Sequence, residues 1–377
     1  MARRRKLKRW VKYILIPGFL LGLTIGFLWL IKPHSPEPEI RHARENLSAA
    51  RDAQAGKYVP REYTKAVALY DSAMVLWKKE NEKIFFLRDY KSVSSLASES
   101  ASLAQNTLSK AAQSARTAHH KTAESLESLV SQIRRFEKVY GPLPLSKQMR
   151  DQFNQSKLIV EEIRIAREKR DFHKASELLK KADSLIQKSE KSASAMLKEF
   201  FSHFDDWESI YQKSIETSAR NNSVLIIVDK MAHELLLYRD GKVRSTFKAE
   251  FGPRWLGDKS HQGDQATPEG SYLITKKKEK RQTRYYKALL INYPNNEDMA
   301  RYRKNVASGK IPRHIDVGGL IEIHGHGGQG FNWTNGCVAL NDRDMDVVYR
   351  NASVNTPVLI IGSRIPMDEW IELKLAE

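Results

Sequence analysis

The sequence predicts an α+β chain built from several domains: an N-terminal transmembrane helix, an α-helical arm and a C-terminal β-rich domain. Three observations carry this reading. Residues 13–31 hold no charged side chain, apolar residues recur at helical spacing through 40–221, and from Ser223 the pattern changes to short strand-like runs between turn residues. The expected parts are a basic tail at 1–12, an anchor at 13–31, a linker at 32–39, the helical arm at 40–221, the β-rich domain at 222–365 and a C-terminal tail at 366–377.

The tail is rich in Arg and Lys (Arg3, Arg4, Arg5, Lys6, Lys8, Arg9, Lys12), and the apolar run after it is near the roughly 20 residues a helix needs to cross a bilayer. Trp10 and Trp29 fall where interfacial aromatics are expected, and the positive-inside bias puts the N-terminus in the cytoplasm with the rest of the chain beyond the membrane. The run closes on Phe27-Leu28-Trp29-Leu30-Ile31, not on the small residues of a signal-peptidase site, so an uncleaved anchor in the cytoplasmic membrane is expected. Pro33, Pro36 and Pro38 make the linker stiff.

The arm breaks at Gly56 with Pro60 and at Gly141-Pro142-Leu143-Pro144, whereas 87–140 holds neither glycine nor proline and suits one long helix or two joined by a kink. Tyr63, Lys65, Ala66, Leu69 and Ala73 are echoed in spacing by Phe172, Lys174, Ala175, Leu178 and Ala182. This fits tetratricopeptide-like helical hairpins and equally an antiparallel bundle, and both stay open. The arm shows no catalytic constellation and reads as a spacer or as the docking surface for a protein partner.

Beyond it, Val224-Leu225-Ile226-Ile227-Val228 and Leu235-Leu236-Leu237-Tyr238 are strand-like, with a hairpin turn at Arg239-Asp240-Gly241-Lys242. Further strands are expected at 245–251, 270–275, 287–292, 319–323 and 357–361. Lys276-Lys277-Lys278-Glu279-Lys280-Arg281 reads as a solvated hairpin.

The net charge of +18 invites a nucleic-acid reading. No zinc-finger spacing, aromatic RNA-binding motif or basic region with heptads accompanies it, so no nucleic acid is expected and an anionic membrane surface is the simpler partner.

Cys337 is the single cysteine, which excludes an intrachain disulfide framework. His324 closes a predicted strand a short glycine-rich loop upstream, and Gly325, Gly327, Gly328 and Gly330 let the chain turn back towards the thiol. A free thiol with a pKa of about 8.5 is mostly protonated at neutral pH, and an imidazole beside it can take the proton, which is the minimum equipment for nucleophilic acyl transfer. Gly336 permits a tight turn before the nucleophile, and the amides around Cys337 are candidates for an oxyanion hole. His326 stands past the strand end and is the lesser candidate for the base. A zinc site from His324, His326 and Cys337 would lack a fixed fourth ligand, so neither metal nor cofactor is expected. Trp333 and Arg313 are candidate substrate contacts, each also readable as an ordinary packing or surface residue.

Residues 223–361 resemble the L,D-transpeptidase catalytic domain, the YkuD family. The resemblance rests on Val228-Asp229-Lys230 with Leu237-Tyr238, on Gly263-Asp264 with Thr267-Pro268-Glu269-Gly270 and Tyr272, on Ile323-His324-Gly325, on Thr334-Asn335-Gly336-Cys337, and on Thr356-Pro357-Val358 with Ile360. It implies Cys337 as nucleophile, His324 as general base, the Gly325 carbonyl as its orienter and Gly336 in the nucleophile turn; Trp333, Thr334, Asn335, His326 and Arg313 are the candidate substrate contacts. It also implies that tetrapeptide stems of peptidoglycan pass through a Cys thioester, in wall biogenesis and cell shape, on the outer side of the membrane. The chain departs from the family at Asn335, where a histidine is common, and at Ala339, where an arginine is common. Those departures leave open hydrolysis of stems or of wall-anchored lipoprotein, and a non-catalytic wall-binding scaffold remains the reading from another class.

Overall fold

A computed structural model describes residues 9–30 and 34–377, with side chains at 14–23, 26 and from 34 onward. The basic tail therefore lies largely outside the described residues. Helix α1 runs Arg9–Leu30, with Pro17 inside it. Among the described residues no helix is long and apolar enough to cross a membrane, and the expected span at 13–31 falls on a stretch that those residues cover only in part.

The helices that follow are α2 (Glu37–Asp52), α3 (Ala55–Tyr58), α4 (Pro60–Asn81), α5 (Lys91–Tyr140), α6 (Lys147–Glu168), α7 (Phe172–Phe201) and α8 (Phe204–Arg220). Of the two forms open for 87–140, a single 50-residue helix is present, because nothing between Lys91 and Tyr140 interrupts the hydrogen-bond ladder. The chain divides into two compact units, residues 1–126 with 162–179, and residues 127–161 with 180–377.

In the first unit α2, α4 and α5 meet through fully buried alanines (Ala43, Ala66, Ala73, Ala97, Ala104), whose small side chains let the helices approach closely. Ser100 of α5 donates to the Ala66 carbonyl at 2.8 Å. The echoed Ala182 is buried as well, in the second unit, where its carbonyl accepts from Ser156 at 3.1 Å.

The second unit contains an 8-stranded sheet in the order β3-β2-β1-β8-β4-β5-β6-β7. Its strands are β1 (Val224–Asp229), β2 (Glu234–Arg239), β3 (Lys242–Lys248), β4 (Gly270–Glu279), β5 (Lys287–Ile291), β6 (Glu322–His324), β7 (Val338–Ala339) and β8 (Pro357–Ile361). The β2–β3 turn is the expected hairpin, with Asp240 at φ 55° and Gly241 at φ 71°, the left-handed pair of a tight two-residue turn. β1 pairs parallel to β8 and β6 parallel to β7, and the other neighbours are antiparallel. Leu225, Ile226, Ile227 and Val228 are all buried, as befits a central strand covered on both faces. On one side lies α8, whose Trp207 packs so closely over Gly362 that a Cβ there would stand 2.1 Å from the indole. The sheet curls. Past β3 at one edge, Glu250 exchanges backbone hydrogen bonds of 2.9 and 2.8 Å with Ala339 of β7 at the other.

Three differences from the sequence reading concern this unit. The strand expected at 319–323 is confined to Glu322–His324, because Leu320 takes a left-handed φ of 57°. Residues 366–377 hold a helix, α11 (Met367–Ala376), which buries Trp370. Before it come α9 (Asn296–Ala307), closed by a capping box between Asn295 and Asp298, and α10 (Asp342–Asn351), capped by Asn341, so the domain is mixed.

Candidate active site

β6 sits between β5 and β7, and this mounts His324 rigidly in the sheet with no exposed surface. Its Nδ1 lies 2.6 Å from the Gly325 carbonyl oxygen. A carbonyl only accepts, so Nδ1 carries the proton and the Nε2 lone pair is left free. Nε2 is buried and, among the described residues, has no hydrogen-bond partner. The Tyr285 ring stacks on the imidazole at 3.5 Å and 6°, and the Trp333 ring meets it edge-on at 5.8 Å. Burial pushes the imidazole pKa down to about 4, aided by Arg284 and His326 and opposed by the Gly325 carbonyl. The ring is therefore neutral at physiological pH and equipped to accept a proton.

Cys337 precedes β7, and the parallel register that pairs Ile323 with Val338 brings it alongside Glu322. Its half-buried Sγ accepts from the Glu322 amide at 3.4 Å and lies 3.8 Å from the Leu320 carbonyl. Burial pushes the thiol up to about 11. The Glu322 carboxylate raises it further, while the Glu322 amide, Arg284 and Lys259 pull it down. The resting pair is thus a thiol and a neutral imidazole, with the sulfur turned to the backbone of residues 320–322.

The turn before the thiol is held from inside. Thr334 is buried, and its Oγ1 donates to the Cys337 carbonyl at 2.7 Å and accepts the Gly336 amide at 3.2 Å. The Gly336 amide is therefore not free for an oxyanion, which corrects that part of the expectation. Among the hydrogen bonds of the described residues, the Cys337 amide donates to none. Gly336 has φ 117°, and a Cβ there would stand 2.6 Å from the Ala266 carbonyl oxygen, so this position requires glycine. At Gly325 the constraint is of side chains only: a Cβ would stand 2.6 Å from Asp342 Oδ1 and displace that carboxylate.

The other expected residues separate. Trp333 is half-buried and donates from Nε1 to Glu250 Oε2 at 2.8 Å, beside the imidazole. Asn335 is exposed at the tip of the turn. His326 is exposed; its amide donates to Asp342 Oδ1 at 2.7 Å, its carbonyl accepts from Gln329 at 3.3 Å, and its ring meets Tyr285 edge-on at 6.3 Å. Arg313 is exposed in the segment between α9 and β6, and no hydrogen bond or ion pair engages it among the described residues. Ala339 is fully buried with its backbone bridged to Glu250.

Several residues that build the site carry no signal of their own in the sequence. Tyr285 lies on the segment joining β4 to β5, and Arg284 donates to its hydroxyl at 2.7 Å. Glu250 takes the Gly330 amide at 2.7 Å on one oxygen and Trp333 on the other. The hairpin read as solvated is partly engaged: Lys278 pairs with buried Glu322 at 2.7 Å, and Lys277 donates to the carbonyls of Tyr349 and Ala352. The Gly263-Asp264 motif scaffolds the floor. Asp264 accepts the amides of Ser260, His261 and Ala266 and pairs at 2.7 Å with Lys259, a buried lysine. Buried Lys230 pairs with Glu269 at 2.8 Å, and Tyr272 donates to the Glu269 carbonyl at 3.0 Å.

Over 95 residues the chain is 32% identical to the Escherichia coli (strain K12) protein named "Putative L,D-transpeptidase YafK", covering 25% of this chain and 31% of that one. It thus spans less than a third of the length of that curated relative. Two solved structures are similar at low identity. The helical cell shape determining protein Pgp2 from Campylobacter jejuni is 23% identical, with 40% of this chain and 52% of that one covered and a TM-score of 0.30. L,D-transpeptidase 1 from Mycobacterium tuberculosis is 15% identical, with 37% and 62% covered and a TM-score of 0.24. Residues 223–360, with His324 and Cys337 inside them, match the family model YkuD, the L,D-transpeptidase catalytic domain.

Proposed function

We propose that the protein is a cysteine acyl transferase acting on tetrapeptide stems of peptidoglycan. One observation carries the reading: the only ring proton of His324 is committed to the Gly325 carbonyl, which leaves a buried, unpartnered Nε2 on the strand next to the thiol. In the first half-reaction Cys337 Sγ attacks the carbonyl carbon of the L,D-amide as its proton passes to Nε2. The imidazolium then returns that proton to the departing amine, D-alanine leaves, and a thioester remains. In the second half an amine of a neighbouring stem attacks the thioester, its proton goes to Nε2, and the thiol is re-formed with one new amide bond. The Cys337 amide is the donor closest in sequence to the developing oxyanion. Because both groups rest neutral, the proton moves during attack and the thiol must first rotate from the 320–322 backbone towards the imidazole, a tightening common when substrate binds.

The same reading places residues 13–31 in the cytoplasmic membrane and the catalytic domain on its outer side, the compartment of the substrate. The test is incubation of the full chain with a defined tetrapeptide muropeptide, followed by mass spectrometry. Cross-linked dimers with free D-alanine are expected, and none with Cys337→Ala. Trimmed stems without dimers would replace transfer by hydrolysis, and unchanged stems would retire the enzymatic reading.

A further inference from the structure

The end of the α4–α5 hairpin carries four consecutive apolar side chains that the fold leaves in solvent: Ile84, Phe85, Phe86 and Leu87 are 62%, 41%, 58% and 60% exposed. A contiguous apolar patch of this kind marks an interaction surface. The loop is also built to present it. Glu80 accepts the Asp89 amide at 3.1 Å and pairs with Lys83 at 2.6 Å, while Arg88 folds back to the carbonyls of Lys83 and Asn81, both at 2.9 Å. The polar groups close the loop's neck, and the apolar ones point away from it.

Where this loop sits indicates what covers it. Ile40 and Ala43, at the start of α2, pack in one cluster with Ala73 near the end of α4 and Val93 at the start of α5, flanked by Trp77 and Tyr90. The loop end of the hairpin is therefore beside the first turns of α2. Only residues 31–36 separate α2 from the end of α1, and six residues reach at most about 20 Å. The apolar loop thus lies at the end of this unit where the chain arrives from 13–31. Around it, residues 78–91 hold five basic side chains (Lys78, Lys79, Lys83, Arg88, Lys91) against three acidic ones, with Glu80 buried. Apolar and aromatic tips with long basic side chains beside them suit the boundary between acyl chains and anionic headgroups.

We infer that Ile84-Phe85-Phe86-Leu87 is a second membrane contact, seated in the headgroup–acyl boundary of an anionic bilayer beside the anchor. It would fix the start of the helical region against the surface, where a single spanning helix would leave it free to pivot. The inference rests on the proposed anchor at 13–31, and the test separates the two. In a Cys337→Ser background of the full chain, Leu20→Cys, Phe86→Cys and Lys121→Cys are spin-labelled one at a time and reconstituted into vesicles of phosphatidylethanolamine and phosphatidylglycerol. Collision rates with dissolved oxygen and with an aqueous nickel chelate report depth. At position 86 the oxygen-to-nickel ratio is expected to exceed that at the exposed α5 position 121 several-fold. A label at 20 in the bilayer with 86 as aqueous as 121 overturns the loop contact and spares the anchor, leaving a protein partner for the patch. Aqueous labels at both 20 and 86 overturn both, whereas 86 alone in the bilayer supports the loop and removes the anchor.

Discussion

The Tyr285 ring lies flat on the imidazole of His324, with centroids 3.5 Å apart and planes within 6°. This contact joins the segment between β4 and β5 to the buried base, and it contributes to the desolvation that keeps the base neutral far below the ordinary histidine range. Tyr285→Ala opens the ring to water. The acid limb of kcat/KM, expected near pH 4 in the wild type, should move up towards 6.5 while the alkaline side is unchanged. An unmoved limb would show that Tyr285 does not set the base.

The same burial couples His324 to stability. Its folded pKa, about 4, lies below the unfolded value of 6.5, so the unfolded chain binds the extra proton in that window. Stability is therefore full above pH 6.5 and falls as pH drops towards 4, by up to about 3 kcal/mol from this group. Asp258 acts with the opposite sign: burial and Glu269 raise it to about 6, so its contribution grows as pH falls from 6 towards 3.8. The difference between wild type and His324→Gln in denaturant melts isolates the histidine, and the stability of wild type relative to the variant should fall as pH drops from 6.5 to 4.

Glu322 raises the Cys337 thiol through its carboxylate while its amide bonds the sulfur. Glu322→Gln keeps the amide, removes the negative charge and leaves the Lys278 ammonium unpaired nearby. The thiol pKa should fall below about 11, read as an earlier rise of thiolate absorbance and faster alkylation at pH 8. An unchanged titration would mean that desolvation alone sets the thiol.

Gly336→Ala puts a Cβ 2.6 Å from the Ala266 carbonyl oxygen at a φ of 117°. The nucleophile turn must shift, with an expected loss of roughly 3 kcal/mol in stability and of acyl-enzyme formation. Thermal unfolding and intact-mass detection of the acyl adduct read the two effects.

Glu250→Ala removes the acceptor shared by Trp333 Nε1 and the Gly330 amide. Two donors lose their partner, at a cost of about 1–3 kcal/mol each if they stay buried. Trp333 loses its hold beside His324, and kcat should fall more than KM changes. Glu250→Gln, which keeps one acceptor oxygen, should recover part of the loss.

Much of this site was legible from local pattern. The two short apolar runs and the turn residues at 224–243 specify a hairpin because run length and left-handed turn positions are properties of adjacent residues. Thr334-Asn335-Gly336-Cys337 and Ile323-His324-Gly325 were equally visible, since a strand-end base and a glycine-shaped nucleophile turn depend on nearest neighbours. What escaped was whatever required the sheet to curl. Tyr285 reaches His324 across 39 positions, Glu250 reaches Trp333 across 83, and no periodicity links such pairs.

The sequence by itself determined the chemistry on offer, one thiol, a strand-mounted imidazole and a glycine turn, because these are questions of residue type and short spacing. Tertiary structure alone decided how they rest. Burial under Tyr285 and Trp333 sets the imidazole neutral, burial beside Glu322 keeps the thiol protonated, and Thr334 takes up the Gly336 amide. Desolvation and hydrogen-bond satisfaction belong to the packed environment, and residues distant in sequence supply much of it.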